Sequence, residues 1–262
     1  MQVGRRVALI VEYDGTHYAG FQLQSQQPTI QGEIELALNK FTRETVRIRA
    51  ASRTDSGAHA RGQVVDFLTT ASYPLRYFPR ALNYYLPPDI KVQSAYEMVP
   101  GFHSRRDASS RTYRYSILNR EWPSPLERNS QHWVKEPLNV EKMDRAAQSL
   151  VGIHDFRPLA VGHPKDKSAV RNVIQWAVWR EAEMVFIECQ ANGFLRHQIR
   201  RANAALVEIG KGRWSEEAIK DTLESALPEG VDWPSLPARG LCLMKVTYPD
   251  FWSKVRTSDE TE

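Results

Sequence analysis

The sequence predicts an α+β protein built of two ferredoxin-like halves, each an antiparallel sheet with helices packed on it. The elements over residues 6–98 follow the order β-α-β-β-α-β, and a second run of strands and helices comes after them. With 262 residues and 42% hydrophobic residues, the chain is long and apolar enough for two moderate cores. We place the boundary in the Pro- and Arg-rich stretch 100–110, which gives an N-terminal half 1–105 and a C-terminal half 106–262.

The N-terminal half opens with a strand over residues 6–13, which are rich in β-branched side chains and run into the turn residues Asp14 and Gly15. Thr29 is the predicted N-cap of a helix, because apolar residues recur at helical spacing from Ile30 to Phe41. The remaining predicted elements are strands over 45–50 and 62–67 around a polar loop 52–61, a helix over 75–86 and a strand over 90–98.

The C-terminal half shows the same alternation of strand and helix patterns. Its predicted strands cover 111–118, 172–179, 185–191 and 241–248. Its predicted helices cover 139–151, 195–209, where Gly210 ends the pattern, and 215–223. The acidic residues 257–262 are expected to fray.

Composition narrows the class of protein only modestly. A net charge of +4 and a pI of about 9.0 suit a polyanionic partner, although many proteins without one are as basic. The two cysteines, Cys189 and Cys242, stand alone in apolar stretches, so we predict buried thiols in a reducing compartment and no zinc site. Neither a signal sequence nor an apolar run of about 20 residues is present, and we expect a cytoplasmic protein with no membrane contact.

The first candidate site is the polar loop Ala51-Ser52-Arg53-Thr54-Asp55-Ser56-Gly57-Ala58-His59. It would hold the Asp55 carboxylate at a loop tip between two strands, beside Arg53. Thr-Asp-Ser-Gly is also good β-turn chemistry, so a purely structural aspartate is the alternative. Asp55 and His59 without a third ligand do not define a metal site.

The second candidate is the segment 191–201, in which a strand passes through Gly193 into a helix. Arg196 and Arg200 are four residues apart, and we expect them on one helix face, positioned to meet a phosphate or a carboxylate. The alternative is a solvated helix side. Acidic partners at helical spacing are missing, and cations near a helix start oppose the helix dipole, so a compensating group outside the helix is expected.

The third candidate is the segment 103–115, in which basic residues alternate with aromatic ones and lead into a strand ending Arg111-Thr112-Tyr113-Arg114-Tyr115. Cations for phosphates and a ring for stacking are what an RNA groove needs. An edge strand with alternating Arg and Tyr has the same composition without binding anything. On composition alone the two interpretations remain open.

Together the three segments resemble the tRNA pseudouridine synthase A family. The resemblance extends to the opening segment 13–22, Tyr-Asp-Gly-Thr-His-Tyr-Ala-Gly-Phe-Gln, and to the closing segment 236–241, Leu-Pro-Ala-Arg-Gly-Leu. It therefore covers nearly the whole chain. The fold that it implies is the pseudouridine synthase fold with two RRM-like halves.

The resemblance also implies roles for individual residues. Asp55 would be the catalytic aspartate, Arg53 would help to displace the target base, and Tyr113 would pack against the flipped uracil. Arg200 would pair with the aspartate. Arg196 and His59 are further candidates for substrate binding.

The activity implied is isomerisation of uridine to pseudouridine in the anticodon stem-loop of tRNA, at tRNA positions 38–40. This chemistry needs no cofactor and no metal, and the resemblance implies a homodimer that binds the anticodon arm. Two other functions compete with it. A non-catalytic RNA-binding protein would need the aromatics but not Asp55, and a carboxylate-dependent hydrolase would need a second catalytic acid, which the matching loops lack.

Overall fold

The computed structural model describes residues 4–224 and 234–256, so the predicted fraying of 257–262 lies outside the described residues. The chain forms two compact units, one of Met1–Ser109 with Leu243–Glu262 and the other of Ser110–Cys242. Both contain mostly antiparallel strands and helices, which confirms the mixed α and β class. The ferredoxin-like relationship of the two halves stays a prediction.

The first unit follows the predicted β-α-β-β-α-β order. Its elements are β1 (Arg5–Tyr13), α1 (Ile30–Thr42), β2 (Arg49–Ala50), β3 (His59–Thr69), α2 (Tyr77–Tyr85) and β4 (Ile90–Met98). β1 lies between β3 and β4 and is antiparallel to both, with Val7 opposite Phe67 on one side and Glu97 on the other. Phe67 and Phe41 both pack against the fully buried Phe78 of α2, so the two helices share a core with the sheet.

Helix α1 begins where the sequence predicts. The Thr29 side chain accepts a hydrogen bond from the Gly32 amide at 3.2 Å, which satisfies one of the free N–H groups of the first turn. The helix ends at Arg43, which adopts a left-handed backbone with φ of 62°. Ile34 and Leu38 are fully buried, as the apolar spacing predicts.

The second unit is built on β5 (Ser110–Asn119), β9 (Met184–Ala191), β8 (Val170–Glu181) and β7 (Gly152–Asp155), in that order and all antiparallel. The short strand β6 (His132–Val134) pairs in parallel with β5. The helices are α3 (Val140–Ala147), α4 (Gln198–Gly210) and α5 (Ala218–Glu224). α4 is anchored to the sheet inside the core, where the indole N–H of Trp176 donates to Asn203 Oδ1 at 3.2 Å.

The last strand, β10 (Leu241–Thr247), neighbours β3. The Tyr248 hydroxyl donates to the Ser104 carbonyl at 2.6 Å, and the Ser109 amide donates to the Thr247 carbonyl. These contacts group Leu243–Glu262 with the N-terminal residues, whereas the sequence assigns them to the half 106–262. The division into functional halves at residue 105 stays a prediction.

One predicted strand is much shorter in the structure, and two strands were not predicted. The predicted strand 45–50 is reduced to Arg49–Ala50, because the Ile48 amide donates to the carboxylate of Glu35 at 3.0 Å instead of to a strand. β6 and β7 have no counterpart in the predicted elements. Cys189 is buried as predicted, and burial raises the pKa of its thiol, but Cys242 is only partly buried.

Candidate active site

The Asp55 loop connects β2 to β3 and closes with a tight turn. The Ala58 amide donates to the Asp55 carbonyl at 3.1 Å, and Gly57 has φ of 78°, a backbone that favours glycine. Within this loop Thr54 is buried, Asp55 is half-buried and Arg53 is exposed. The predicted site residues Arg53, Asp55 and His59 therefore share one short, ordered segment.

A buried amide holds the start of this loop. Gln63 is fully buried on β3, and its Nε2 donates to the Ser52 carbonyl at 2.7 Å while its Oε1 accepts from the Ser52 amide at 3.3 Å. The Tyr13 hydroxyl lies 2.8 Å from the hydroxyl of Thr54. Because β1 and β3 are paired along their length, these contacts attach the residues before Asp55 to the sheet.

The opening segment 13–22 holds the loop from its other side. The Phe21 amide donates to the Thr54 carbonyl at 3.1 Å, and the Ser56 hydroxyl donates to the Tyr18 carbonyl at 3.0 Å. Gly20 has φ of +107°, and a Cβ there would lie 3.0 Å from the Thr54 oxygen and 3.2 Å from the Ser56 nitrogen. Only glycine fits this approach without moving the loop.

His59 contacts the turn that follows β1. Its Nδ1 lies 3.1 Å from the Gly15 amide and 3.0 Å from the Asp14 carboxylate. Burial raises the pKa of the Asp14 carboxyl, but hydrogen bonds from Thr16 and the nearby charge of His59 outweigh that effect, so this pKa is lowered. His59 thus links the turn after β1 to the end of the Asp55 loop.

The carboxylate of Asp66, further along β3, has a different environment from that of Asp55. Asp66 on β3 is fully buried, and its oxygens accept from Arg6 at 3.0 Å, from the Ser104 amide at 2.9 Å and from Arg49. Burial and the neighbouring Arg49 lower the pKa of the Arg6 guanidinium, while Asp66 opposes that shift. Asp66 is therefore a structural charge, and Asp55 is the carboxylate placed at the loop tip.

In the second unit, Tyr113 lies on β5 opposite Cys189 of β9. It is 4% exposed, and its ring packs edge-on against Phe194 with the ring centres 5.5 Å apart. Phe194 in turn contacts Trp176 at 6.2 Å. The sequence motif around Phe194 and the Tyr113 strand therefore meet in one aromatic cluster.

The expected shared helix face of Arg196 and Arg200 is wrong. His197 adopts a left-handed backbone with φ of 63°, and α4 begins only at Gln198, so Arg196 precedes the helix. The Gln198 side chain turns back and accepts from the Leu195 amide at 2.8 Å. Arg196 is exposed, whereas Arg200 is half-buried and donates from Nε to the Leu236 carbonyl at 2.6 Å.

The closing segment 236–241 anchors this arginine. The buried Tyr115 hydroxyl donates to the Pro237 carbonyl at 2.7 Å, and a Cβ on Gly240 would lie 2.7 Å from the Tyr115 ring. Burial raises the pKa of Tyr115, and Arg200 and Arg239 partly oppose this shift. In the same region, burial lowers the pKa of His132 to about 4, helped by Arg239. The motif therefore positions Arg200 through backbone contacts.

The described parts of the chain contain neither a cluster of metal-binding side chains nor a membrane-spanning helix. Over residues 4–224 and 234–256, no group of three or more His, Cys, Asp or Glu side chains could hold a metal ion. In the same residues, no helix has the length and apolar character needed to cross a membrane.

Comparison with known proteins assigns the family. A family model described as tRNA pseudouridine synthase matches residues 9–105 and 146–249. The tRNA pseudouridine synthase A of Geobacter sulfurreducens is 41% identical over 246 residues, which is 93% of this chain and 100% of that protein. Those of Moorella thermoacetica and Caulobacter vibrioides are 41% and 40% identical and cover 92% and 94% of this chain and 98% and 99% of their own lengths. The chain belongs to the tRNA pseudouridine synthase family.

Members of the tRNA pseudouridine synthase family are isomerases that act on uridine in tRNA, and the chain is an enzyme of this class. Sequence reasoning missed three supporting residues, Tyr13, Thr54 and Gln63. Their signal was weak, because a buried polar side chain is recognisable as a support only once the contacts that it makes in the folded chain are known.

For this pseudouridine synthase we predict that Gly20→Ala lowers turnover by on the order of 10²-fold, because it would displace the loop that carries Asp55, the predicted catalytic residue. The new methyl group would press on Thr54 and Ser56. The rate of pseudouridine formation under single-turnover conditions measures this. Gly101→Ala is the matched control, because a Cβ there meets no atom within 4 Å. A wild-type rate for Gly20→Ala would contradict the prediction.

Proposed function

We propose that this enzyme converts uridine to pseudouridine in the anticodon stem-loop of tRNA, at tRNA positions 38–40, with Asp55 as its catalytic group. One observation carries the proposal. Asp55 is the half-buried carboxylate at the tip of a loop held from two sides, by Gln63 and by the segment 13–22. Such a carboxylate is rigidly placed and still open to substrate.

The reaction makes modest chemical demands on the protein. The N1–C1′ bond breaks, the uracil rotates, and a C5–C1′ bond forms while the C5 hydrogen leaves as a proton and N1 gains one. Atoms and electrons balance without an oxidant, a reductant or added water. The Asp55 carboxylate can attack C1′ or assist elimination, and either route frees the uracil to rotate.

The remaining site residues have supporting roles in the proposal. A uridine in a stem must leave the stack, which costs a few kcal/mol, and Tyr113 and Arg53 would offset this by stacking and by contacts to the displaced strand. Arg200 would orient the Asp55 carboxylate through charge-assisted hydrogen bonds. Arg196 would contact the RNA as an exposed cation outside α4. His59 would bind substrate from the end of this loop.

Three broader features belong to the same proposal. The enzyme would act as a homodimer on the anticodon arm, in the cytoplasm, and its halves would be ferredoxin-like. A molar mass of one chain by light scattering at micromolar concentration would contradict the dimer. The resemblance in the segments 13–22, 51–59 and 236–241 supports these features, since it spans both units.

Mapping of the modified positions tests the proposal. Unmodified tRNA transcripts carrying uridine at positions 38, 39 or 40 are incubated with the enzyme and sequenced after a pseudouridine-selective chemical treatment. We expect signal at these positions and none in transcripts with cytidine there. Pseudouridine confined to another arm would refute the assigned position. Tight tRNA binding without any pseudouridine would favour a non-catalytic RNA-binding protein.

A further inference from the structure

Helix α2 carries a cationic and aromatic face that the proposed active site does not use. Phe78 and Leu82 are buried against the core, whereas the other side of the helix is open. Tyr84 is 82% exposed, and Tyr77 and Tyr85 are 44% and 38% exposed. Exposed large aromatic rings grouped on one helix face mark an interaction site more often than rings scattered singly.

These rings border a groove of about 590 Å³. Phe41 of α1 forms one wall, and residues of α2 form the rest. The ring of Tyr85 meets the ring of Tyr84 edge-on at 5.1 Å. Asn83 is already occupied, because its side chain bonds the backbone of Val92 at 2.7 and 2.9 Å. The groups of the groove that can contact a ligand are thus the aromatic rings and the guanidinium of Arg80.

The charge of this face is of one sign. Residues 70–86 contain Arg76 and Arg80 and no Asp, Glu or Lys. Arg76 lies over the ring of Tyr77 at 5.1 Å, and Arg80 is exposed. Among the residues that the structure describes, neither arginine forms an ion pair. Unneutralised guanidinium groups beside exposed rings provide phosphate contacts and stacking surfaces together.

We propose that this α2 face, defined as Arg76, Tyr77, Arg80, Tyr84 and Tyr85, binds unpaired nucleotides of the RNA substrate outside the site of reaction. Tyr84 stacks on a base, and Arg76 and Arg80 contact phosphates. Charge favours RNA over a second copy of this chain, because a symmetric contact would bring like-charged arginines together without a carboxylate in the groove. That the RNA is tRNA rests on the proposed function.

Equilibrium binding of fluorescently labelled tRNA transcript to the full-length protein tests this proposal. We expect Tyr84→Ala to raise Kd about tenfold, within the range for loss of one stacked base. Tyr84→Phe keeps the ring and should bind like wild type. Arg80→Gln should weaken binding and reduce the slope of log Kd against log salt by about one phosphate contact. Arg47→Gln is the charge control, because Arg47 is already paired with Glu35 at 2.9 Å.

The outcomes separate this proposal from others. Wild-type Kd for both Tyr84→Ala and Arg80→Gln would overturn it. A fall in molar mass of either variant by light scattering would assign the face to contact between copies and would also overturn it. Pseudouridine formation by wild type is scored in the same samples. Its failure would refute the proposed function alone if Tyr84→Ala still weakened RNA binding.

Discussion

Replacing Asp55 by asparagine will lower the rate of pseudouridine formation by at least about 10⁴-fold, the scale of loss when a catalytic nucleophile is removed. Asparagine keeps the size of the side chain but is neither a good nucleophile nor a base. The loop should keep its conformation, because the hydrogen bonds of Gln63 to Ser52 and of the Phe21 amide to Thr54 remain in this variant. Chromatography of nucleosides from tRNA digested at successive times measures the rate.

The melting temperature and the tRNA affinity of the variant are measured alongside the rate. Asp55→Asn should melt within a few degrees of wild type and should retain tRNA binding. Glu121→Gln, which removes an exposed carboxylate after β5, is the charge control and should turn over normally. A rate for Asp55→Asn within tenfold of wild type would remove Asp55 from the chemistry.

Replacing Asp66 by asparagine will lower the free energy of unfolding strongly. Asp66 is buried between Arg6 and Arg49, and asparagine leaves these two cations near each other without a counter-charge. Loss of one partner from a buried ion cluster costs on the order of 3 kcal/mol in the free energy of unfolding. For a chain of this size the melting temperature should fall by roughly 10 °C. Calorimetry at neutral pH measures it.

The matched control for this variant is Arg47→Gln, which breaks the exposed ion pair with Glu35. Such pairs contribute about 1 kcal/mol or less, so this variant should melt close to wild type. A melting temperature for Asp66→Asn within about 2 °C of wild type corresponds to less than about 1 kcal/mol and would contradict the structural role of the cluster. Together with Asp55→Asn, the experiment separates a carboxylate needed for chemistry from one needed for folding.

Local signals explain which elements the sequence could predict. The start of α1 depends on Thr29 and on apolar spacing within the helix itself, and both are visible without tertiary contacts. The extent of β2 depends on distant groups. It pairs with β3 through Arg49 with Asp66 and Ala50 with Val65, and the Ile48 amide donates to the Glu35 carboxylate. A stretch with strand-forming residues therefore forms a strand only over the residues that pair with a neighbouring strand.

The same reasoning applies to the candidate site. Family motifs predict Asp55, Tyr113 and Arg200 as site residues, and these roles stay predictions, whereas helical spacing alone misplaced Arg196. The left-handed backbone at His197 and the capping side chain of Gln198 delay the helix start, and neither is encoded in apolar periodicity. Contacts that hold the site, such as Gln63 to Ser52, join residues that are distant in sequence and meet only in the folded chain.

Tritium release from tRNA carrying 5-tritiated uridine tests the central claim most directly, because forming the C5–C1′ bond expels the C5 hydrogen. Wild type should release tritium in proportion to the pseudouridine formed, and Asp55→Asn should release none while still binding tRNA. Release by neither protein, with tRNA binding intact, would contradict the proposed isomerisation. Equal release by both would contradict the assignment of Asp55.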